Sequence, residues 1–313
     1  TKNGSTATSA AVKLSRAKTG RKLIAFPSDH PFFSYDDWFI GSTEITRGIP
    51  DRTISLTKKF EYNNLDSLIE IIKKNKNKIS CLVMEPATDV CPRTDNSNLK
   101  CCNKITCERE YKKSKTKNFL IEVQNICREN DIVFILDEMI TGFRWDLKGA
   151  QNIFGIDPDL STFGKAMANG YSVACVAGKE QIMNLGSIDN IGSERLFLLS
   201  STHGAEMSSL GAFLKTVETI KTKNVVKHLW NYGFELKKIF NELIKDHNLE
   251  GYFIVSGPSC SPYYYTLDQN KKHSFGMRTL FIQEMIKNSV LMPWISLSYS
   301  HNSKELQITK KAI

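Results

Sequence analysis

Three short apolar runs constrain this chain more than any other feature. Ile79–Met84 runs into Glu85-Pro86, Ile132–Leu136 closes on Asp137-Glu138, and Val173–Ala177 follows Lys165. Runs this apolar suit strands buried on both faces, the usual condition of a parallel sheet. Helical patterns precede the first two. Leu65, Leu68, Ile69 and Ile72 fall at i, i+3, i+4 and i+7, which predicts a helix over 65–76, and a second over 118–130 leads into Ile132. Residues 4–17 read as a helix behind a Gly-Ser-Thr start that can cap it, and residues 22–26 as a strand. Alternation of this kind predicts an α/β sheet with crossover helices.

The pattern changes beyond residue 207. Two long helices are predicted at 208–222 and 225–246, then a smaller α+β stretch with a strand near 262–267, a helix at 275–288 and a strand near 289–300. A chain of 313 residues suits two domains. The expected division is a large domain over 1–217, carrying a Cys/Lys-rich insertion at 91–117, and a small C-terminal domain over 218–313.

Composition excludes several classes. With 41% hydrophobic and 24% charged residues the chain is neither disordered, collagenous nor coiled coil. No apolar run approaches the roughly 18 residues of a membrane-spanning helix, and no secretory leader is visible. The chain opens at Thr1, without a methionine, in what reads as mid-domain. The net charge is +9, but Lys100–Lys117 alone holds seven basic residues against Glu108 and Glu110. One solvated insertion therefore supplies over half of the excess, and no basic helix interleaved with aromatics accompanies it, so nucleic acid is not an expected partner. Eight cysteines in a chain long enough to build its own core predict free thiols and a cytoplasmic protein. Cys91, Cys101, Cys102 and Cys107 lack the paired spacing of a zinc site, so a solvated loop is expected there rather than a metal.

Open parallel sheets bind ligands beyond the carboxyl ends of their strands. Three groups can converge at such a place. Asp137 directly follows an apolar run, where a lone carboxylate more often caps the next turn. Lys165 stands between Gly164 and a small-residue run, and a partly desolvated lysine there can attack a carbonyl, although a single lysine is more often a surface charge. Gly4-Ser5-Thr6 opens a helix, whose free N–H groups favour a phosphate. Together the three fit pyridoxal phosphate (PLP), which needs a lysine for its aldehyde, a carboxylate at its ring nitrogen and a helix N-terminus for its phosphate.

The run Ile135-Leu-Asp-Glu-Met-Ile-Thr-Gly-Phe-Arg144, with its spacing to Pro158-Asp-Leu-Ser-Thr-Phe-Gly-Lys165, resembles the signature of class III PLP-dependent aminotransferases. Within that class the chain is most similar to the glutamate-1-semialdehyde 2,1-aminomutase group, and there to the aminotransferase-like members associated with surface polysaccharides. Asn3–Thr8, Lys13–Arg21, Tyr62–Leu65, Glu85-Pro86 and Ser201–Glu206 support the likeness, which covers nearly the whole chain except 91–117. The resemblance implies the PLP-dependent transferase fold type I, a homodimer with active sites at its interface, and ping-pong transfer of an amino group between a donor and a small aldehyde or keto acceptor. Carried across, Lys165 would be the Schiff-base lysine and proton shuttle, and Asp137 the partner of the ring nitrogen. Gly4 and Ser5 would hold the phosphate, Thr202 would reach the phosphate of the neighbouring subunit, and His30 would stack on the ring.

The chain also departs from the pattern. Thr6 stands where an acid is usual, and no second acid of the ornithine-type members follows Glu85-Pro86. Pro293–His301 lacks the glutamate of true aminomutases. That favours transamination over the intramolecular isomerase reaction, which stays the first alternative. An inactive PLP-fold protein and a polyanion binder are the others. The family's chain begins well upstream of its phosphate loop, so an N-terminal segment is expected to be missing here.

Overall fold

The apolar runs form the middle of a six-stranded sheet. In a computed structural model, the described residues are those of 1–313 other than 31–33, 37–38, 40, 42, 88–91, 93–117, 190, 193, 195, 197–201 and 205. The insertion and its four cysteines therefore lie outside the described residues. The strands are β1 (Leu23–Pro27), β2 (Thr57–Phe60), β3 (Ile79–Met84), β4 (Val133–Asp137), β5 (Leu160–Phe163) and β6 (Cys175–Gly178), in spatial order β2-β1-β3-β4-β5-β6. All neighbours are parallel except β6, which runs antiparallel to β5.

The third apolar run thus differs from expectation. It becomes an antiparallel edge strand with a half-exposed pattern. The strand beside Asp137 is instead β5, Leu-Ser-Thr-Phe, whose polar centre hid it from a search for apolar runs. Ser161 and Thr162 are nevertheless buried, because their hydroxyls bond to Gln151 Oε1 and Asp137 Oδ1. The strand Thr57–Phe60 was likewise masked by Lys58 and Lys59.

Alternation sends Cys81, Val83, Val133 and Ile135 to one face of the sheet, where they pack with Ala11, Val12 and Leu14 of α1 (Gly4–Thr19). The small residues Ala7, Ala10 and Ala11 let the α1 backbone approach the sheet closely. Helix α1 runs opposite to the strands: Gly4 lies against Met139, just past the end of β4, while Arg21 beyond its other end donates to the carbonyls of Ile79 and Asn130. Its N-terminus is thereby brought to the carboxyl ends of the strands.

The other helices of this part are α2 (Asp51–Ile54), α3 (Leu65–Lys74), α4 (Phe119–Glu129), α5 (Ala150–Phe154) and α6 (Glu180–Met183), and α7 (Met207–Thr222) leads into the rest of the chain. Asn64 and Asn118 cap α3 and α4 through their side-chain oxygens. The described residues up to Thr219 form one compact unit and Ile220–Ile313 a second.

The second unit packs α8 (Val225–Asp246), a two-stranded antiparallel sheet of β7 (Phe253–Ser256) and β8 (Tyr263–Thr266), α9 (Phe275–Lys287) and α10 (Ser303–Ala312). Phe240, Phe253, Tyr264 and Phe281 make its aromatic centre, with Phe253 stacked on Tyr264 at 5.4 Å. The strand expected near 289–300 does not form. Pro293 offers no N–H, and the carbonyls of Met292 and Pro293 are taken by the Tyr264 hydroxyl (2.7 Å) and the Arg278 guanidinium (2.7 Å) rather than by a neighbouring strand. The helix α10 that follows was not anticipated, though Asn302 and Glu305 form a capping box at its start. No helix of the described residues is long and apolar enough to cross a membrane.

Candidate active site

Strands β3, β4 and β5 end side by side, and Glu85, Asp137 and Lys165, at or just past those ends, form the floor of the candidate site. Asp137 closes β4, in register with Thr162 of β5, and is 3% exposed. Its Oδ1 accepts from the Met139 backbone N–H (2.9 Å) and the Thr162 hydroxyl (3.1 Å). Both bonds fall on one oxygen, and Oδ2 takes none from the described residues. Burial pushes the Asp137 carboxyl above the usual carboxylate range, offset in part by these bonds and by the charge of Lys165.

Lys165 follows β5 after Gly164 and opens a single 3₁₀ turn, Lys165–Ala168. Its φ of +42° is in the left-handed region, which a side chain other than glycine seldom occupies. Met167 and Ala168 are buried with Val173 and hold the turn down, whereas Lys165 is exposed. The expected desolvation of this lysine by its small neighbours is therefore absent in the chain alone. Strain of this kind concentrates at functional positions.

The N-terminus of α1 meets the same region through Met139. A Cβ added to Gly4 would lie 2.8 Å from the Met139 sulfur, and one added to Gly164 would lie 2.7 Å from it. A side chain at either position would therefore have to displace Met139. Asn3 caps the helix, its Oδ1 accepting from Thr6 N (3.0 Å) and Thr6 Oγ1 (3.1 Å), and the amides of Gly4 and Ser5 have no partner within the helix. Thr6, placed where an acid was expected, serves this cap and contacts the Tyr35 hydroxyl.

His30 is buried beyond β1 and packs on Tyr62, ring centroids 4.5 Å apart. Tyr62 in turn donates from its hydroxyl to the Pro86 carbonyl (2.8 Å). The neighbours 31–33 of His30 lie outside the described residues. Thr202 is exposed in a described turn. Its neighbour Glu206 pairs with Lys2, just before the start of α1.

Two acids of the region had no assigned role. Glu138 is fully buried and caps α5: its carboxylate accepts from the amides of Ala150 (2.9 Å) and Gln151 (2.8 Å) and from the Thr141 hydroxyl. Glu85 follows β3 as Asp137 ends β4, because Met84 pairs with Leu136. The signal for it is present in the sequence, since the run Ile79–Met84 ends in an acid just as Ile132–Leu136 does.

The donor set fits the cofactor that the sequence resemblance implies. A buried carboxylate oxygen without a partner suits a protonated ring nitrogen, an exposed lysine on strained backbone suits an aldehyde, and a capped helix start suits a phosphate. Residues 113–251 match the family model described as aminotransferase class-III. Among similar proteins, the 3-aminobutyryl-CoA aminotransferase of Cloacimonas acidaminovorans is 29% identical over 322 residues, spanning 100% of this chain and 68% of that protein. The glutamate-1-semialdehyde 2,1-aminomutase of Archaeoglobus fulgidus is 27% identical over 331 residues, spanning 99% and 72%. Among solved structures, an omega-transaminase from Sphaerobacter thermophilus superposes with a TM-score of 0.81 at 21% identity, covering 100% of this chain and 72% of that one. The FumI protein of Sphingopyxis sp., solved in its PLP internal aldimine form, gives 0.79 at 22% identity, covering 100% and 68%.

Proposed function

We propose that this chain, whose residues 113–251 match the class III aminotransferase model, is a PLP-dependent enzyme moving an amino group between a small amino donor and an aldehyde or keto acceptor, with Lys165 and Asp137 as its catalytic residues. The observation that carries this reading is the adjacent placing of a buried carboxylate, with one oxygen unengaged, and a strained, exposed lysine at the ends of neighbouring strands β4 and β5. When bound, the cofactor supplies an aldehyde and an electron-withdrawing ring that makes a substrate's α-proton acidic.

The protein's part is placement. Lys165 holds the aldehyde and, when released, carries a proton at Nζ. Asp137, kept in orientation by Met139 N and Thr162 Oγ1, holds a proton on the ring nitrogen. The amides of Gly4 and Ser5 hold the phosphate. His30 flanks the ring, and Thr202 serves the phosphate of a second copy in a cytoplasmic homodimer.

Reduction of the purified yellow protein with borohydride, followed by peptide mapping, tests this. The pyridoxyl label belongs on the peptide containing Lys165, and a label on another lysine overturns the assignment. The relatives named as aminomutases support a second reading, in which the amino group returns to the same molecule.

A further inference from the structure

Glu85 is the one acid on the floor of the site with no assigned task. It leaves β3 at the level where Asp137 closes β4, as the pairing of Met84 with Leu136 dictates. It is half-buried between the fully buried Met84 and the buried Pro86, and its carboxyl makes no hydrogen bond with any described residue. A carboxylate removed from water without a donor is costly, and two of them side by side cost more. The titratable groups acting on it are Asp137 and Lys165 from the neighbouring strand ends and Tyr62 from the chain after β2, with Asp29 behind Tyr62 accepting from the Tyr62 N–H at 3.1 Å.

We propose that Glu85 is a positioning residue of this site, standing as a neutral acid beside Asp137 so that Asp137 is the single carboxylate facing the ring nitrogen. The proposal rests on the reading of Asp137 given above. Burial first, then the charge of Asp137, push the Glu85 carboxyl up to about 8, with Lys165 opposing. Below that pH the floor bears one negative charge. Above it Glu85 ionises, the ring nitrogen faces two anions, and the visible absorbance of the bound cofactor changes.

The test is a pH titration of the cofactor-loaded protein across pH 8, read by cofactor absorbance and by the infrared band of protonated carboxyl groups. The wild-type protein should lose one carboxyl band near pH 8, with a matching step in the absorbance. Glu85→Gln should retain the cofactor and lack both changes. If the glutamine variant keeps the same band and the same step, the proposal is wrong. Should that variant fail to fold, Asp137→Asn decides. Removing the neighbouring charge should move the band's loss to lower pH, and an unmoved band overturns the proposal. The infrared arm is repeated without cofactor, so it reads Glu85 whether or not PLP binds. A failure of the borohydride label with the Glu85 band intact would therefore sink the functional reading and leave the state of Glu85 established.

Discussion

The sulfur of Met139 lies 2.7 Å from where a Cβ on Gly164 would stand, and the same sulfur lies 2.8 Å from the corresponding point on Gly4. One side chain is thus wedged between the helix start that offers amides to a phosphate and the residue that precedes the lysine. Met139 lies between the two ends of the proposed cofactor site, and its room depends on two missing side chains.

Gly164→Ala should therefore weaken cofactor retention. The backbone of Gly164 is extended (φ −173°), so the cost is steric and not conformational. Met139 is flexible but hemmed in by Gly4, and overpacking of this kind costs about 1–3 kcal/mol. Combining Gly164→Ala with Met139→Ala should recover most of the loss. The measurement is the dissociation constant of the cofactor for each variant, and no recovery in the double variant would show that the wedge is not the cause.

Asp137→Asn should lose turnover while keeping much of its cofactor binding. The amide can still accept from Met139 N and Thr162 Oγ1, so the fold of the floor persists. It bears no negative charge to hold a proton on the ring nitrogen. A loss on the order of a hundredfold or more in kcat is expected from removing such a charge. Near wild-type turnover in this variant would contradict the role.

Much of this site was legible in the sequence, and the gaps have physical causes. Asp137 and Lys165 stood out because an apolar run or a small-residue run isolates them. Glu138 did not, because a buried acid that caps a distant helix leaves no local pattern: its partners Ala150 and Gln151 are twelve and thirteen residues away. Strands β2 and β5 were missed for a related reason. Lys58 and Lys59 belong to an edge strand, and Ser161 and Thr162 are polar residues made tolerable in the core by side-chain partners that only the fold supplies.

Glu138→Ala should destabilise the large unit. It would strip the amides of Ala150 and Gln151 and the Thr141 hydroxyl of their acceptor, at a cost of about 1–3 kcal/mol for each buried group left unpaired. Gly149→Ala should act in the same direction by a different route. Its φ is +82°, and a Cβ there would lie 2.5 Å from Glu138 Oε1. Urea unfolding of both variants, with unchanged m-value, is the check.

Stability should fall as pH rises from the ordinary glutamate value of 4.5 towards about 8. The sign follows from Glu85. Its folded value is raised, so between these limits the folded chain binds more protons than the unfolded one, and raising the pH favours unfolding. Asp137 and Glu138, both shifted upward by burial, act in the same direction. Glu85→Gln should flatten this dependence. Denaturation midpoints measured across the interval would show an unaltered slope if Glu85 carries no such proton.

The reaction type can be decided at the stretch from Pro293 to His301. An aminomutase of this group keeps a glutamate in the corresponding stretch, and here none is present. The next acid along the chain, Glu305, is already engaged: its carboxylate accepts from the Asn302 backbone N–H (2.9 Å) to cap α10, and that bond holds its carboxyl below the ordinary value. It is therefore committed to the helix and not held ready for a substrate. Ordinary transamination is the expected outcome. Incubation with glutamate-1-semialdehyde alone, following 5-aminolevulinate, should give at most the turnover allowed by the amino group already on the enzyme, and adding an amino donor should restart the reaction with release of its keto acid. Efficient multiple turnover without a donor would assign the chain to the intramolecular reaction.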